Sequence, residues 1–184
     1  MVHLTESTTT SRTVAIIGST GNQGSSVLKS LLETSHPILA LTRSTSKLDA
    51  HTVSHPTQLT AVKTDITDPT SLRLALQGVF ALFVNTFSDY TKPDGTEEAL
   101  LRSIVDAAAQ SGVQYLIMSV LPEGMPARAY IAKSRAMNYA REVFERTSTK
   151  PIFVQASVDD RIATNSFTSQ TNRWAGICQD SLVT

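Results

Sequence analysis

Val14-Ala15-Ile16-Ile17-Gly18-Ser19-Thr20-Gly21-Asn22-Gln23-Gly24 is the stretch on which the fold turns. The first four residues are apolar without alternation, which suits a strand buried on both faces. Gly18 stops that run. Past Gly24 the period changes, and Val27, Leu28, Leu31 and Leu32 recur on one face of a helix. Between strand and helix lies a GxxGxxG loop. Gly18 and Gly21 permit a sharp turn and the close approach of a pyrophosphate, Gly24 lets helix pack on strand, and the helix N-terminus offers N–H donors to an anion. Gly18, Ser19, Thr20, Gly21, Asn22, Gln23 and Gly24 are therefore the candidate phosphate-binding residues. The competing reading is a tight turn that binds nothing, but three spaced glycines in this context exceed what a turn needs.

Working outward, Ile38-Leu39-Ala40-Leu41 reads as a second strand and Leu59 to Val62 as a third, joined by a polar connection holding His51 and His55. Asp68-Pro69 opens a helix over Leu72 to Gln77, with the carboxylate as cap and proline in the first turn. Val79 to Val84 is a fourth strand. Glu97 to Gln110 is helical, with acids in its first turn and Leu100, Ile104, Ala107 and Ala108 as its core face. Tyr115 to Met118 makes a fifth strand, Tyr130 to Arg146 a further helix, and Ile152 to Val154 a sixth strand. Strands alternating with helices imply right-handed crossovers and a doubly wound parallel α/β sheet. The expected organisation is a tail over 1–12, a nucleotide-binding domain over 13–157 and a C-terminal segment over 158–184. In that last segment only Phe167, Trp174 and Ile177 offer apolar anchors.

The chain has 184 residues, with 16 Lys and Arg against 16 Asp and Glu, 41% hydrophobic residues and one cysteine. A chain of this size buries about 70% of its unfolded surface and needs no disulfide or metal staple. Zero formal charge argues against a nucleic-acid binder, which carries clustered excess base. No apolar run approaches the roughly 18 residues of a membrane span, and no leader follows Met1, so a cytoplasmic protein is expected.

In dinucleotide sites the end of the second strand reads the adenosine ribose: an acid takes the 2′-hydroxyl and a base accommodates a 2′-phosphate. Arg43 occupies that position, with Ser44 and Lys47 close behind. NADP(H) is accordingly favoured over NAD(H), the alternative being that Arg43 and Lys47 are solvated loop charges.

Gly18 to Gly24, Thr42-Arg43-Ser44-Thr45-Ser46-Lys47, Asp65-Ile66-Thr67-Asp68, Ala75-Leu76-Gln77-Gly78, and Asp106-Ala107-Ala108-Ala109 with Gly112-Val113 together resemble the NmrA-like family, an atypical branch of the short-chain dehydrogenase/reductases. The likeness covers residues 13 to about 156. It implies a Rossmann fold binding NADP(H), or in some members NAD(H), along the strand C-termini. By position, Asp65 and Ile66 resemble the pair flanking the adenine, and Asn85, Thr86 and Phe87 the loop near the nicotinamide-side ribose. Read from the residues alone, Asp65 is equally a turn residue.

Hydride transfer needs a proton donor to the developing oxyanion, and a nearby lysine lowers that donor's pKa. Ser119, ending the fifth strand, resembles the serine of short-chain dehydrogenases, and Lys133 resembles the lysine retained in many NmrA-like members. The tyrosine departs from the pattern. Ala129 stands four residues before Lys133 and Tyr130 only three, so Tyr130 is rotated by about 100° around the helix from the usual direction. Tyr130 remains a candidate donor, its alternative being an amphipathic ring at a helix start. Lys133 in turn competes with a charged helix face shared with Arg135, Arg141, Glu142 and Glu145. His51 and His55 lack a third metal ligand, Asp159-Asp160 reads as solvated, and Cys178 has no neighbouring base. No metal is expected.

The resemblance implies a longer C-terminal portion after the sixth strand, closing over the nicotinamide and supplying most substrate contacts. Residues 159–184 are expected to form a reduced lid, or one completed by a second subunit in a homo-oligomer; otherwise the site is open. Three functions follow: an NADPH-dependent oxidoreductase acting on a small organic substrate, in the sphere of secondary metabolism; a dinucleotide-sensing regulator acting on a protein partner; or a cofactor-dependent non-redox rearrangement or cyclisation.

Overall fold

The computed structural model describes residues 12–155. Six strands form one parallel sheet: β1 (Val14–Ile17), β2 (Ile38–Thr42), β3 (Leu59–Lys63), β4 (Ala81–Val84), β5 (Tyr115–Val120) and β6 (Lys150–Gln155). Their order is β3-β2-β1-β4-β5-β6. The chain therefore reverses its direction of travel between β1 and β4, which sit side by side with Ile16 paired to Phe83. That reversal leaves a crevice at the strand C-termini, where ligands of such sheets bind.

Five helices connect the strands: α1 (Asn22–Leu32), α2 (Asp49–Ser54), α3 (Pro69–Ala75), α4 (Thr96–Gln110) and α5 (Arg128–Phe144). Alternate residues of a strand face opposite sides of a sheet, and β1 shows the result. Val14 and Ile16 pack with Val27, Leu28 and Leu31 of α1, whereas Ala15 and Ile17 pack with residues of α3, α4 and α5. β1 and β4 are buried throughout, as their unbroken apolar runs require.

The expected strands are all present. Asp68 caps α3 by accepting from the backbone N–H groups of Thr70 and Ser71, with Pro69 in the first turn. Two details differ. In α4 the fully buried residues are Leu101, Ile104, Val105, Ala107 and Ala108, so the core face is centred one position past the expected one and Leu100 lies at its edge. The connection after β2 contains a 3-10 turn (Thr45–Leu48) and the short α2, which buries no residue and so carries no apolar period to betray it. Among the described residues, no helix is long and apolar enough to cross a membrane. Phe167, Trp174, Ile177, Asp159, Asp160 and Cys178, with residues 1–11 of the expected 1–12 tail and the C-terminal segment over 158–184, lie outside the described residues.

Candidate functional site

The glycine loop leaves β1 at Gly18, whose φ of +86° is a conformation that side chains resist. A Cβ there would also stand 2.4 Å from the carbonyl oxygen of Asn85, the residue following β4. Gly24 is equally constrained, since its Cβ would meet the Gly18 carbonyl oxygen at 2.0 Å. Gly21 differs from both. It has an extended φ of −87°, and its nearest foreign atom would be 3.4 Å away, an ordinary contact. The fold thus requires Gly18 and Gly24 but not Gly21. What Gly21 provides is a bare surface over the start of α1, a helix whose N-terminus has no side-chain cap. Orphan N–H donors beneath an open backbone fit a pyrophosphate. Thr20, Gly21 and Asn22 are exposed there, and Gln23 half-buried. Ser19 instead turns inward, with its Oγ buried and unpartnered among the described residues.

One strand away, Arg43 directly follows β2, and both it and Lys47 are exposed. Asp65 lies beyond β3. Its carboxylate accepts from the Thr67 hydroxyl at 2.7 Å and the Thr67 N–H at 2.9 Å. These bonds hold it below the usual carboxylate range, and the Arg43 charge adds to the effect. Arg43 and Asp65 therefore share one surface. Asp65 forms a turn, as its residue type allows, while Ile66 packs against the core.

On the other side, the β4–α4 loop begins with Asn85, Thr86 and Phe87. Thr86 is buried, whereas Phe87 is 86% exposed. Lys133, on α5, is buried and reaches this loop: its Nζ donates to the Thr86 carbonyl at 3.4 Å and pairs with a Glu97 carboxylate oxygen at 3.4 Å. Burial pulls the Lys133 ammonium below its ordinary pKa, and Glu97 opposes that pull. Glu97 also accepts from the hydroxyls of Thr86 at 2.8 Å and Ser88 at 2.6 Å. In sequence Glu97 is simply an acid in the first turn of a helix; its role as a junction appears only when α4 and α5 are packed together.

Ser119 is also buried at this edge, but its hydroxyl donates to Gln23 Oε1 at 2.6 Å, bridging β5 to the first turn of α1. Tyr130 is half-buried in the first turn of α5, where Ala129 takes the buried position. Arg128 fastens the start of α5 to the β4–α4 loop, through the Asp94 carboxylate at 2.8 Å and the carbonyls of Tyr90 and Lys92. His51 and His55 sit at the end of α2, and no group of three or more metal-binding side chains occurs among the described residues.

Strand order arranges these parts in a line: Arg43 after β2, the glycine loop after β1, Asn85 and Thr86 after β4, and Ser119 at the end of β5. A parallel sheet in this order, with an uncapped helix at its reversal point, defines a Rossmann-type NAD(P)-binding fold. Residues 10–167 match the NmrA-like family, and the chain belongs to that family.

The NmrA-like family domain-containing oxidoreductase FrzB of Cladobotryum sp is 36% identical over 141 residues, covering 72% of this chain and 41% of that protein. The chain thus spans less than half the length of this curated relative. Among solved structures, the negative transcriptional regulator NmrA in complex with NADP superposes with a TM-score of 0.65 at 24% identity, over 80% of this chain and 46% of that one. NmrA has also been solved with NAD. Triphenylmethane reductase of Citrobacter sp., complexed with NADP(H), gives a TM-score of 0.66 at 18% identity, over 88% and 55%. These likenesses show the fold.

Proposed function

We propose that this chain binds NADP(H) along the strand C-termini and belongs to an oxidoreductase that acts on a small organic molecule. The observation that carries the reading is the line of groups from Arg43, through the bare N-terminus of α1, to buried Lys133. A cationic end, an anion seat and a buried ammonium follow one another as a phosphorylated dinucleotide needs. Arg43 and Lys47 would hold the 2′-phosphate, the α1 N-terminus the pyrophosphate, and Lys133 the nicotinamide-side ribose. When bound, the cofactor supplies a hydride to an electrophilic carbon of the substrate. Lys133 keeps a proton at Nζ beside that place, and Tyr130 and Ser119 are the candidate hydroxyls for proton delivery. Ser119 can serve only by leaving Gln23. The oxidoreductase names of curated relatives support a redox role, and secondary metabolism is the proposed setting.

A sensing role is the second reading, and Ala129 favours it. A buried methyl group stands where the proton-donating tyrosine of short-chain dehydrogenases is expected. Calorimetric titration with NADPH, NADP, NADH and NAD, for the unaltered chain and Arg43→Ala, tests both readings. Tighter binding of the phosphorylated pair, lost in Arg43→Ala, supports the cofactor assignment; binding of none of the four overturns it. Turnover of carbonyl or conjugated substrates that falls in Lys133→Ala separates the enzyme from the sensor, which would distinguish oxidised from reduced cofactor without turnover.

A further inference from the structure

Glu97 has more partners than the first turn of a helix requires. An acid there satisfies the helix dipole while exposed to water, and its neighbour Glu98, 16% exposed itself, pairs with two exposed cations, Arg102 and Arg135. Glu97, with a side chain 12% exposed, differs in its partner, a lysine that is itself only 8% exposed. Both carboxylate oxygens are used. Oε1 receives the Thr86 hydroxyl and the Lys133 ammonium, and Oε2 receives the Ser88 hydroxyl. One side chain therefore joins α4, α5 and the β4–α4 loop at the end of the site where Lys133 points.

We propose that Glu97 is a positioning residue for the cofactor site: its carboxylate holds the Lys133 ammonium and the Thr86–Ser88 loop in one pre-assembled arrangement. This rests on the reading of Lys133 as a cofactor-contacting group. The need for a carboxylate follows from burial. An ammonium withdrawn from water loses its proton more readily unless an opposite charge stands beside it. Glu97 is the one charged group acting on Lys133 among the described residues; the other polar groups at the junction, Thr86 and Ser88, are neutral. Glu97→Gln keeps the shape of the side chain and removes its charge; the amide oxygen can still accept from Thr86 and Lys133, while the amide nitrogen is a donor towards which the Ser88 hydroxyl must turn its acceptor side.

The test has two arms on the full chain. In the first, the carbon signal of Lys133 Cε, assigned by its loss in Lys133→Met, is followed by NMR from pH 7 upward without cofactor. Glu97→Gln is expected to lower the proton affinity of Nζ at least tenfold, and Glu97→Asp to restore most of it. In the second, NADP affinity is measured calorimetrically across the same range. Glu97→Gln should bind about as tightly as the unaltered chain at the lowest pH and lose affinity at lower pH than that chain does, whereas Lys133→Met should be weaker throughout and flat. Glu97→Asp should bind several-fold more weakly with a nearly unaltered pH profile, and it carries the test if Glu97→Gln does not fold. An unmoved Lys133 signal and binding profile in Glu97→Gln, or unaltered affinity in Glu97→Asp, overturns the positioning role alone. Failure of the unaltered chain to bind any dinucleotide overturns the cofactor reading, while the NMR arm still decides whether Glu97 governs Lys133.

Discussion

Two alanine substitutions three residues apart should fail in opposite ways. In Gly24→Ala the new methyl group would stand 2.0 Å from the Gly18 carbonyl oxygen, 2.6 Å from its carbon and 2.9 Å from Ser19 Cα, all of them backbone atoms. Real Cβ contacts essentially never fall under 3.0 Å, so the loop or α1 must retreat by at least 3.0 − 2.0 = 1.0 Å. Overpacking of this kind costs about 1–3 kcal/mol. No side chain can rotate away here, so the upper end applies. At roughly 2–4 °C per kcal/mol for a domain of this size, the melting temperature should fall by about 6–12 °C. Gly21→Ala meets nothing closer than 3.4 Å. Its cost is that of alanine at an N-cap, at most about 1 kcal/mol, and its methyl group covers the anion seat. Losing a charge-assisted bond worth about 1.5–3 kcal/mol should weaken NADP binding roughly 10- to 100-fold. Circular-dichroism melting and calorimetric titration of the same preparations decide the matter. A Gly24→Ala protein melting within about 2 °C of the unaltered chain, or a Gly21→Ala protein binding NADP undiminished, would refute the division of labour among the glycines.

Asp68→Ala removes the α3 cap, which accepts from two backbone N–H groups, and should cost about 1 kcal/mol, read from the urea midpoint. Thr149 is buried and its hydroxyl donates to the Val113 carbonyl at 2.7 Å; Thr149→Val strands that oxygen and should cost about 1–3 kcal/mol by the same measurement. His36 is held below its ordinary value of 6.5, by burial first and by Arg12 second. The unfolded chain then binds more protons than the folded one, so stability should rise with pH across the window from the lowered value up to 6.5 and level off above it. His36→Gln should flatten that slope in denaturation curves collected between pH 5 and 7.

The strands were legible because a central parallel strand must be apolar on both faces, and Val14 to Ile17 and Ala81 to Val84 say so without help from the rest of the chain. The caps were legible for a similar reason: Asp68-Pro69 meets a purely local demand for acceptors. α2 was not, since it buries nothing and leaves no period. Leu100 and Leu101 are adjacent leucines, and only packing against α3 and α5 chooses between them. The candidate site divides along the same line. The glycine loop and Arg43 are short-range features tied to strand ends. The Ser119 bond to Gln23 spans 96 positions, and the Glu97 junction joins two helices and a loop. Each of those residues has a sufficient local explanation, so the sequence offers no surplus to prompt a longer-range one.

The contact between Gly18 and the Asn85 carbonyl sets how closely the two ends of the cleft sit. The loop leaving β1 rests against the loop leaving β4 with no room for a methyl group between them. Gln23 braces the same helix turn against β5. Segments of three crossovers that are distant along the chain therefore meet at the point where the winding reverses. A side chain added at Gly18 would have to push aside the backbone of Asn85, the residue that leads to Thr86. The phosphate end of the cleft and the end that leads to Thr86 thus touch through backbone atoms, and only glycine at position 18 permits that spacing.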